Sequence, residues 1–350
     1  MKIAQVAPLI ESVPPKRYGG TERVVSYLTE ELVRQGHDVT LFASGDSVTS
    51  ARLEAVVDQA LRLDTTCRDP LAWHILMLQR VARLAHSFDI IHFHVDYLHF
   101  PMSQAMQLPQ LTTLHGRLDL PDHRAVFNAY DDMPLISISN AQREPVPRLN
   151  WLTTIHHGLP RRLYPFQARS SGYLAFIGRI SPEKRVDRAI EIAQRAGREL
   201  VIAAKVDPAD REYFANEIEP LLARPGVRYV GEVTDREKGE ILGQAHALLF
   251  PIDWPEPFGL VMIEAMACGT PVIAFRRGSV PEIIDHGRSG FIVDDVDGAV
   301  AAVEGVAGLD RAACRRIFED RFSARRMARG YLAAYRRIID AELSSSQQAS

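Results

Sequence analysis

The chain has 350 residues, 46% of them hydrophobic and 24% charged, with a formal net charge of −3. This is ordinary globular usage and enough chain for two domains of typical size. Residues 1–165 carry 16 Lys and Arg against 17 Asp and Glu, and the remainder 25 against 27, so no broad basic field marks nucleic acid as the main partner. The three cysteines, Cys67, Cys268 and Cys314, form no C-x-x-C pair. Their odd number argues against a disulfide framework and for a reducing cytoplasm. No run approaches the roughly 18 apolar residues of a membrane span, so the expectation is a soluble protein with at most peripheral membrane contact.

The N-terminus, "MKIAQVAPLIESVPP", is a short apolar run broken by Gln5 and Pro8; it reads as a first strand and not as a signal peptide. "KRYGGTERVV" (16–25) follows. Its two glycines open a helix over 21–35, with Val24, Leu28 and Leu32 at helical spacing and Gly36 as the stop. Glycine admits close backbone approach, so the Gly20 amide is a candidate phosphate donor. The pattern lacks the G-x-G-x-x-G dinucleotide fingerprint. Further strands are predicted at "DVTLFA", "DIIHFH", "QLTTLH", "PLISIS" and "LTTIHH", and 71–86 is predicted as a thoroughly apolar helix. Ten of the twelve histidines lie in this half. His92, His94, Asp96 and His99 allow two readings, a metal site or strand-end histidines lining a cleft. His115 ends a strand before a glycine, where its side chain can face such a cleft.

"RRLYPFQARSSG" (161–172) breaks the alternation with basic residues, proline, serines and glycine and reads as a linker. Strands resume at "YLAFIG", "ELVIAA", "VRYVG", "HALLFP", "TPVIAF" and "GFIV". The βα alternation predicts an α/β protein of two doubly wound parallel-sheet domains with a cleft between them. The boundaries are 1–165 and 166–322, then a helix over 323–343 with Met327, Tyr331, Tyr335 and Ile338 on one stripe. A disordered tail over 344–350 completes the reading.

Within "FIGRISPEKRVDRAI" (176–190) a strand is predicted to end at Gly178 and a helix to begin near Pro182 with Ser181 as cap. Arg179 and Lys184 fall at that turn, the ligand edge of an open α/β sheet, and suit a diphosphate. Arg185 and Arg188 read as a solvated helix face. In "PIDWPEPFGLVMIEAMACGTPVIA" (251–274) the prolines keep the chain extended. A buried helix starts near Phe258 or Gly259, and its first amides suit an anion. Glu264 lies about 7.5 Å into the helix and Glu256 up to roughly 10 Å before it, so the two carboxylates are expected some 10–15 Å apart with the anion site between them. Carboxylates accept hydrogen bonds from hydroxyls. A ligand with hydroxyls at both ends and phosphates in the middle fits, and a nucleotide sugar is one. The blander alternative is a solvated Glu256 and a Glu264 paired with a nearby Arg. "VDDVDG" (293–298) contains Asp295-Val-Asp297, a D-x-D step that reads as a turn and helix cap rather than a metal motif.

"GRISPEKRVD", "EPFGLVMIEAMACGTPVIA" with seven residues between its two glutamates, and "RGSVPEII" resemble the family 4 (group 1) retaining glycosyltransferases of the GT-B fold. Weaker echoes are "GGTER", "DIIHFH", "TLHG" and "SISNAQRE". The resemblance implies two Rossmann-like domains with an interdomain cleft, the acceptor side N-terminal and the donor side C-terminal. It implies transfer of a hexose from a nucleotide-diphosphate sugar, of the UDP-glucose or GDP-mannose type, to an acceptor hydroxyl. The transfer would be retaining, front-face and without a metal or other cofactor. The acceptor would be a sugar, a lipid-linked glycan or a small molecule.

By resemblance Arg179 and Lys184 bind the diphosphate, and Glu264 the ribose. Glu256 and His115 contact the hexose. Gly20, Phe258, Gly259 and Leu260 line the phosphates, and Gly231 to Val233 lie near the base. The last helix returns to the first domain. Two departures stand out: His157 occupies a place where the family often has Asn, and Gly278-Ser279 replaces a glycine pair. Competing expectations are a catalytically inactive nucleotide-sugar binding protein and a sugar phosphorylase or epimerase on a similar fold.

Overall fold

The computed structural model of the chain describes residues 1–16 and 19–348, with side chains in the last helix described to residue 344. Two units form, Met1–Gly158 with Ala324–Ser350, and Leu159–Ser323. The first unit holds β1 (Lys2–Val6), β2 (Asp38–Ala43), β3 (Arg52–Ala55), β4 (Ile90–Phe93), β5 (Gln110–Thr113), β6 (Leu135–Ser137) and β7 (Trp151–Thr154). They lie in the order β3-β2-β1-β4-β5-β6-β7. The second holds β8 (Leu174–Arg179), β9 (Leu200–Lys205), β10 (Val227–Gly231), β11 (Ala247–Phe250), β12 (Val272–Phe275) and β13 (Gly290–Val293), in the order β10-β9-β8-β11-β12-β13. Every pairing among these strands is parallel.

Parallel strands need helical crossovers, so both faces are covered and central strands read as continuous apolar runs. In β1, Ile3, Ala4, Gln5 and Val6 are all fully buried. The order is doubly wound in each unit, and each sheet therefore has one switch point, β1/β4 and β8/β11. Ligands of such sheets bind beyond the carboxyl ends of the strands at that point.

One strand, β3, carries no apolar signal. Its sequence is Arg-Leu-Glu-Ala, and it is the edge of its sheet, where charged side chains deter further pairing. The helix Pro70–Leu84 buries one side only, with His74, Met77, Leu78 and Val81 inward and Leu71, Ile75 and Leu76 exposed. The stretch 161–172, which reads as a linker, is stitched to the second unit. Gln167 N donates to Cys268 O at 3.0 Å and Ser171 N to Gln244 O at 2.7 Å, and Tyr164 is buried. The last helix runs Ala324–Gln348 and buries Met327, Tyr331 and Tyr335. It extends through the segment expected as a tail from 344; residues 349 and 350 lie outside the described residues. No described helix is long and apolar enough to cross a membrane, and the three cysteines are free.

Candidate active site

In the second unit the two segments at the switch point carry the chemistry. β8 ends at Arg179, one residue later than the sequence suggests, paired in register with Lys205 of β9. The chain then makes a single 3-10 turn, Pro182–Lys184. Arg185 takes a left-handed conformation (φ +55°) before the helix Val186–Arg195 begins. Ser181 makes no capping hydrogen bond, which corrects the expected capped start at Pro182: the left-handed Arg185 separates the turn from the helix.

The second segment follows β11. Asp253 N donates to Glu183 O at 2.9 Å, which ties the two loops together. Lys184 Nζ donates to Glu256 Oε2, and the Trp254 indole N–H donates to the same oxygen at 2.9 Å. Lys184 Nζ also lies 5.2 Å from the centre of the Trp254 ring. Arg185 and Arg188 are not a solvated face. Both reach Asp253, at 3.2 and 2.8 Å, and so brace this loop.

Arg179 sits among acids. It bonds Glu183 and lies 3.5 Å from Asp207 and 3.6 Å from Asp210. Burial raises the Glu183 carboxyl, but its own amide and the Arg179 guanidinium outweigh it and hold the group below its usual range. Burial likewise pushes Asp207 up, yet Lys205 and Arg179 bring it down. For Asp210 burial wins over the Arg179 charge, and its carboxyl is raised.

The helix Leu260–Cys268 starts at Gly259 (φ +77°). A side chain on Gly259 would meet Met262 Cε at 2.8 Å and the Phe250 ring at 3.0 Å. The first amides of this helix have no intrahelical partner and form its positive end. At its far end Arg315 donates to Ala267 O, a cation where the helix dipole favours one. The Phe258 side chain is buried against Phe322, ring centres 6.3 Å apart, so only its backbone is left for a ligand.

Glu264 is buried. Its partner is Lys238, at 2.6 Å, and not an arginine; the Tyr164 hydroxyl stands 3.4 Å away. Lys238 also reaches Asp235 at 3.2 Å. Its helix, Asp235–Gln244, is fixed by a capping box between Thr234 and Glu237. Gly231 ends β10 with φ +73° and open space where a side chain would stand, and Val233 is half-buried.

The Gly278-Ser279 departure has a physical reason. A carbon on Gly278 (φ +50°) would lie 2.4 Å from Glu256 O and 2.5 Å from Glu256 N, so only glycine fits there. The second position has no such limit. Ser279 N donates to Glu256 O at 3.0 Å, and its hydroxyl donates to Phe258 O at 2.9 Å. Asp295 caps the helix Val296–Gly305, accepting from Gly298 N at 2.8 Å.

In the first unit Gly20 opens the helix Gly20–Arg34 after Gly19, where amides again lack intrahelical partners. Arg17 and Tyr18 of the same stretch lie outside the described residues. The ring nitrogens of His92 bond Tyr335 OH and Thr113 Oγ1 at 2.8 and 2.7 Å. Those of His94 bond His115 Nε2 and Gln5 Oε1, both at 2.8 Å. All four nitrogens are taken by protein partners, and no group of three His, Cys, Asp or Glu among the described residues is placed to hold a metal ion. Burial pushes the His115 imidazole down to about 3, so it is neutral at neutral pH. Its ring stacks on His157 at 5.2 Å.

Sequence reasoning missed Trp254, Lys238, Tyr164 and Gln5. Trp254 stands two residues from Glu256 across a tight turn, not the extended chain that the prolines suggest, with Glu256 N donating to Trp254 O at 2.8 Å. Gln5 is a lone amide among the buried residues of β1, which are otherwise apolar, and such a group demands a buried partner. The Lys238–Glu264 pair joins two helices and has no local signature.

A family model described as glycosyl transferases group 1 matches residues 167–309, and one described as glycosyltransferase family 4 matches residues 18–216. A glycogen synthase of Mycobacterium tuberculosis is 26% identical over 90% of this chain and 86% of that protein. AviGT4, a glycosyltransferase involved in avilamycin A biosynthesis, superposes with a TM-score of 0.74 at 25% identity, covering 97% of this chain and 98% of its own. The Anabaena protein HepE, in complex with UDP, superposes with a TM-score of 0.73 at 18% identity, covering 95% and 99%. Two doubly wound units, a family match across more than half the chain and a near full-length relative agree: the chain belongs to the family 4, group 1 glycosyltransferases of GT-B architecture.

Proposed function

We propose that this glycosyltransferase moves a hexose from a nucleotide-diphosphate sugar to an acceptor hydroxyl, with retention of configuration and without a metal. The observation that carries this reading is the convergence at one switch point of Arg179, Lys184, Glu256 and the start of the helix that bears Glu264. Arg179 and Lys184 take the diphosphate, together with the amides of Gly259 and Leu260. Glu256 takes hexose hydroxyls and Glu264 the ribose, while the backbone at Gly231 and Val233 lies toward the base. Within the first unit, His115 is the side chain proposed to meet a hexose hydroxyl and the Gly20 amide the group proposed to meet a phosphate.

Both cations are held by carboxylates in this structure, Arg179 by Glu183 and Lys184 by Glu256. An arriving diphosphate exchanges these ion pairs with carboxylates for charge-assisted bonds to phosphate. It also frees Glu256 to accept from hydroxyls. When the bond to the hexose breaks, charge grows on the leaving phosphate. Fixed donors aimed at that charge lower the barrier and need no reorganisation at the moment of reaction. Cys268 offers no nucleophile, because burial pushes its thiol up to about 12. The complex of HepE with UDP supports a uridine donor.

A thermal-shift screen of UDP, GDP, ADP and their sugars tests the donor assignment, since a ligand that binds only the folded state raises its melting temperature. Stabilisation by one nucleotide diphosphate, lost in Arg179→Ala and in Lys184→Ala, is expected. No shift with any of them, or a shift unchanged in both variants, contradicts the assignment.

A further inference from the structure

Gln5 lies in the middle of β1 and is fully buried. Its side-chain amide joins two groups of histidines. Nε2 donates to Tyr335 OH at 3.0 Å, and Oε1 faces His94 Nε2 at 2.8 Å. A carbonyl oxygen only accepts, so His94 carries its proton on Nε2. Burial holds His94 and His92 well below the ordinary imidazole range, so each ring is neutral and has one N–H. The bare Nδ1 of His94 must then accept, and the group that faces it at 2.8 Å is His115 Nε2. His115 therefore carries its proton on Nε2.

The other direction is equally fixed. Tyr335 OH accepts from Gln5 and donates to His92 Nδ1 at 2.8 Å. His92 Nε2 donates to Thr113 Oγ1 at 2.7 Å, and Thr113 donates to Tyr331 OH at 3.0 Å. Every bond points the same way, from His115 through His94, Gln5, Tyr335, His92 and Thr113 to Tyr331. The imidazoles and hydroxyls can each run in either sense. Only the Gln5 amide, with distinct donor and acceptor ends, chooses between them. At the start of the chain, His115 Nδ1 is buried and has no partner among the described residues.

We propose that Gln5 is a positioning residue that fixes His115 as the Nε2–H tautomer, leaving Nδ1 as a bare acceptor for a hydroxyl of the sugar. The ligand half of this statement rests on the reading of the site as a hexosyl donor site; the tautomer half does not. The arrangement selects for a hydroxyl that donates at that position, and it rejects a group that only accepts, such as fluorine or a carbonyl. It also gives the last helix a role in the site, because Tyr335 and Tyr331 lie four residues apart on one buried stripe and close the chain.

The test is a long-range proton–nitrogen spectrum of the full chain labelled with ¹⁵N-histidine, which distinguishes a protonated ring nitrogen from a bare one. His92, His94 and His115 are each expected with a protonated Nε2 and a bare Nδ1. A protonated Nδ1 on His115 overturns the proposal. In Gln5→Met the chain is cut, and the His115 signals are expected to move toward a mixture of both tautomers. Tyr335→Phe leaves the Gln5 carbonyl facing His94 and is the control, so the His115 signals are expected to stay as in the wild type. A changed His115 tautomer in Tyr335→Phe, or an unchanged one in Gln5→Met, also overturns it. If Gln5→Met does not fold, the wild-type spectrum and Tyr335→Phe still decide. Failure of the enzyme to turn over any nucleotide sugar would remove the donor reading without altering these spectra.

Discussion

The substitution Gly278→Ala puts a methyl group against the backbone that carries Glu256. The new carbon would stand 2.4 Å from Glu256 O, 2.5 Å from Glu256 N and 2.6 Å from Pro255 C. All three are main-chain atoms, so no side chain can swing aside. The 255–256 segment must retreat by about 0.6 Å to reach the 3.0 Å below which such contacts are essentially never seen, and by about 1 Å for an ordinary one.

Left-handed backbone costs a non-glycine residue roughly 1–2 kcal/mol, and overpacking adds roughly 1–3 kcal/mol. For a unit of this size the sum lowers Tm by roughly 5–15 °C. The functional cost is separate. Glu256 holds Lys184 and accepts from Trp254, and a displacement of about 1 Å at a reacting centre costs on the order of 100-fold in rate. Thermal unfolding and UDP-glucose turnover, measured on the same preparation, give both numbers. Gly287→Ala is the control, because Gly287 also has a positive φ (+76°) but nothing within 4 Å. It should lose only the left-handed term and keep its activity. A Gly278→Ala protein no less stable than Gly287→Ala, with unchanged turnover, refutes the steric argument and the placement of Glu256 in the site.

Three further outcomes are expected. Trp254→Phe removes the indole donor to Glu256 and should weaken UDP-glucose about 10-fold by calorimetry while leaving UDP unchanged, since hydrogen bonds to charged groups are worth roughly 1.5–3 kcal/mol; equal losses for both ligands would move Glu256 away from the hexose. Lys238→Met strands the buried Glu264 carboxylate and should destabilise by roughly 3–5 kcal/mol in denaturant unfolding, with most of the loss restored in Lys238→Met/Glu264→Gln; no destabilisation in the single variant would show the pair to be idle. Acid should weaken the first unit. Burial lowers His92, His94, His99, His115 and His157 in the folded state, so below the unfolded value of about 6.5 the unfolded chain binds more protons and stability falls with pH. Each such histidine costs about 1.4 kcal/mol by pH 5.5; circular dichroism melts that are flat from pH 7.5 to 5.0 would contradict this.

Much of this was legible before any fold was seen, and for one reason. In a parallel sheet the central strands are buried on both faces, so they announce themselves as apolar runs; β1, β4, β8 and β11 were all visible. The edge strand β3 was not, because its charged residues suit its place at the rim. The four polar side chains proposed for the donor site stood out by their local setting: Arg179 ends a strand, Lys184 lies in the turn after it, Glu256 lies in a proline-flanked loop and Glu264 is an acid inside an apolar helix. What stayed hidden depends on contacts distant in sequence. Lys238 meets Glu264 across 26 residues and Gln5 meets Tyr335 across 330. The solvated-face reading of Arg185 and Arg188 failed likewise, because Asp253 reaches them from another loop. The need for glycine at 278, and the freedom for serine at 279, also depend on a neighbouring loop, the one that carries Glu256.

Release of a nucleoside diphosphate from UDP-glucose, GDP-mannose or an ADP-sugar, followed with EDTA present and with the anomeric configuration of the product read by proton NMR, decides whether this site works as described. The expected result is turnover that EDTA does not abolish, an axial anomeric product from an axial donor, and a loss on the order of 100-fold or more in Arg179→Ala and in Lys184→Ala. Turnover that needs a divalent metal, inversion at the anomeric carbon, or near wild-type rates in both variants would contradict it, and tight donor binding with no turnover across a broad acceptor panel would make the chain a nucleotide-sugar binding protein.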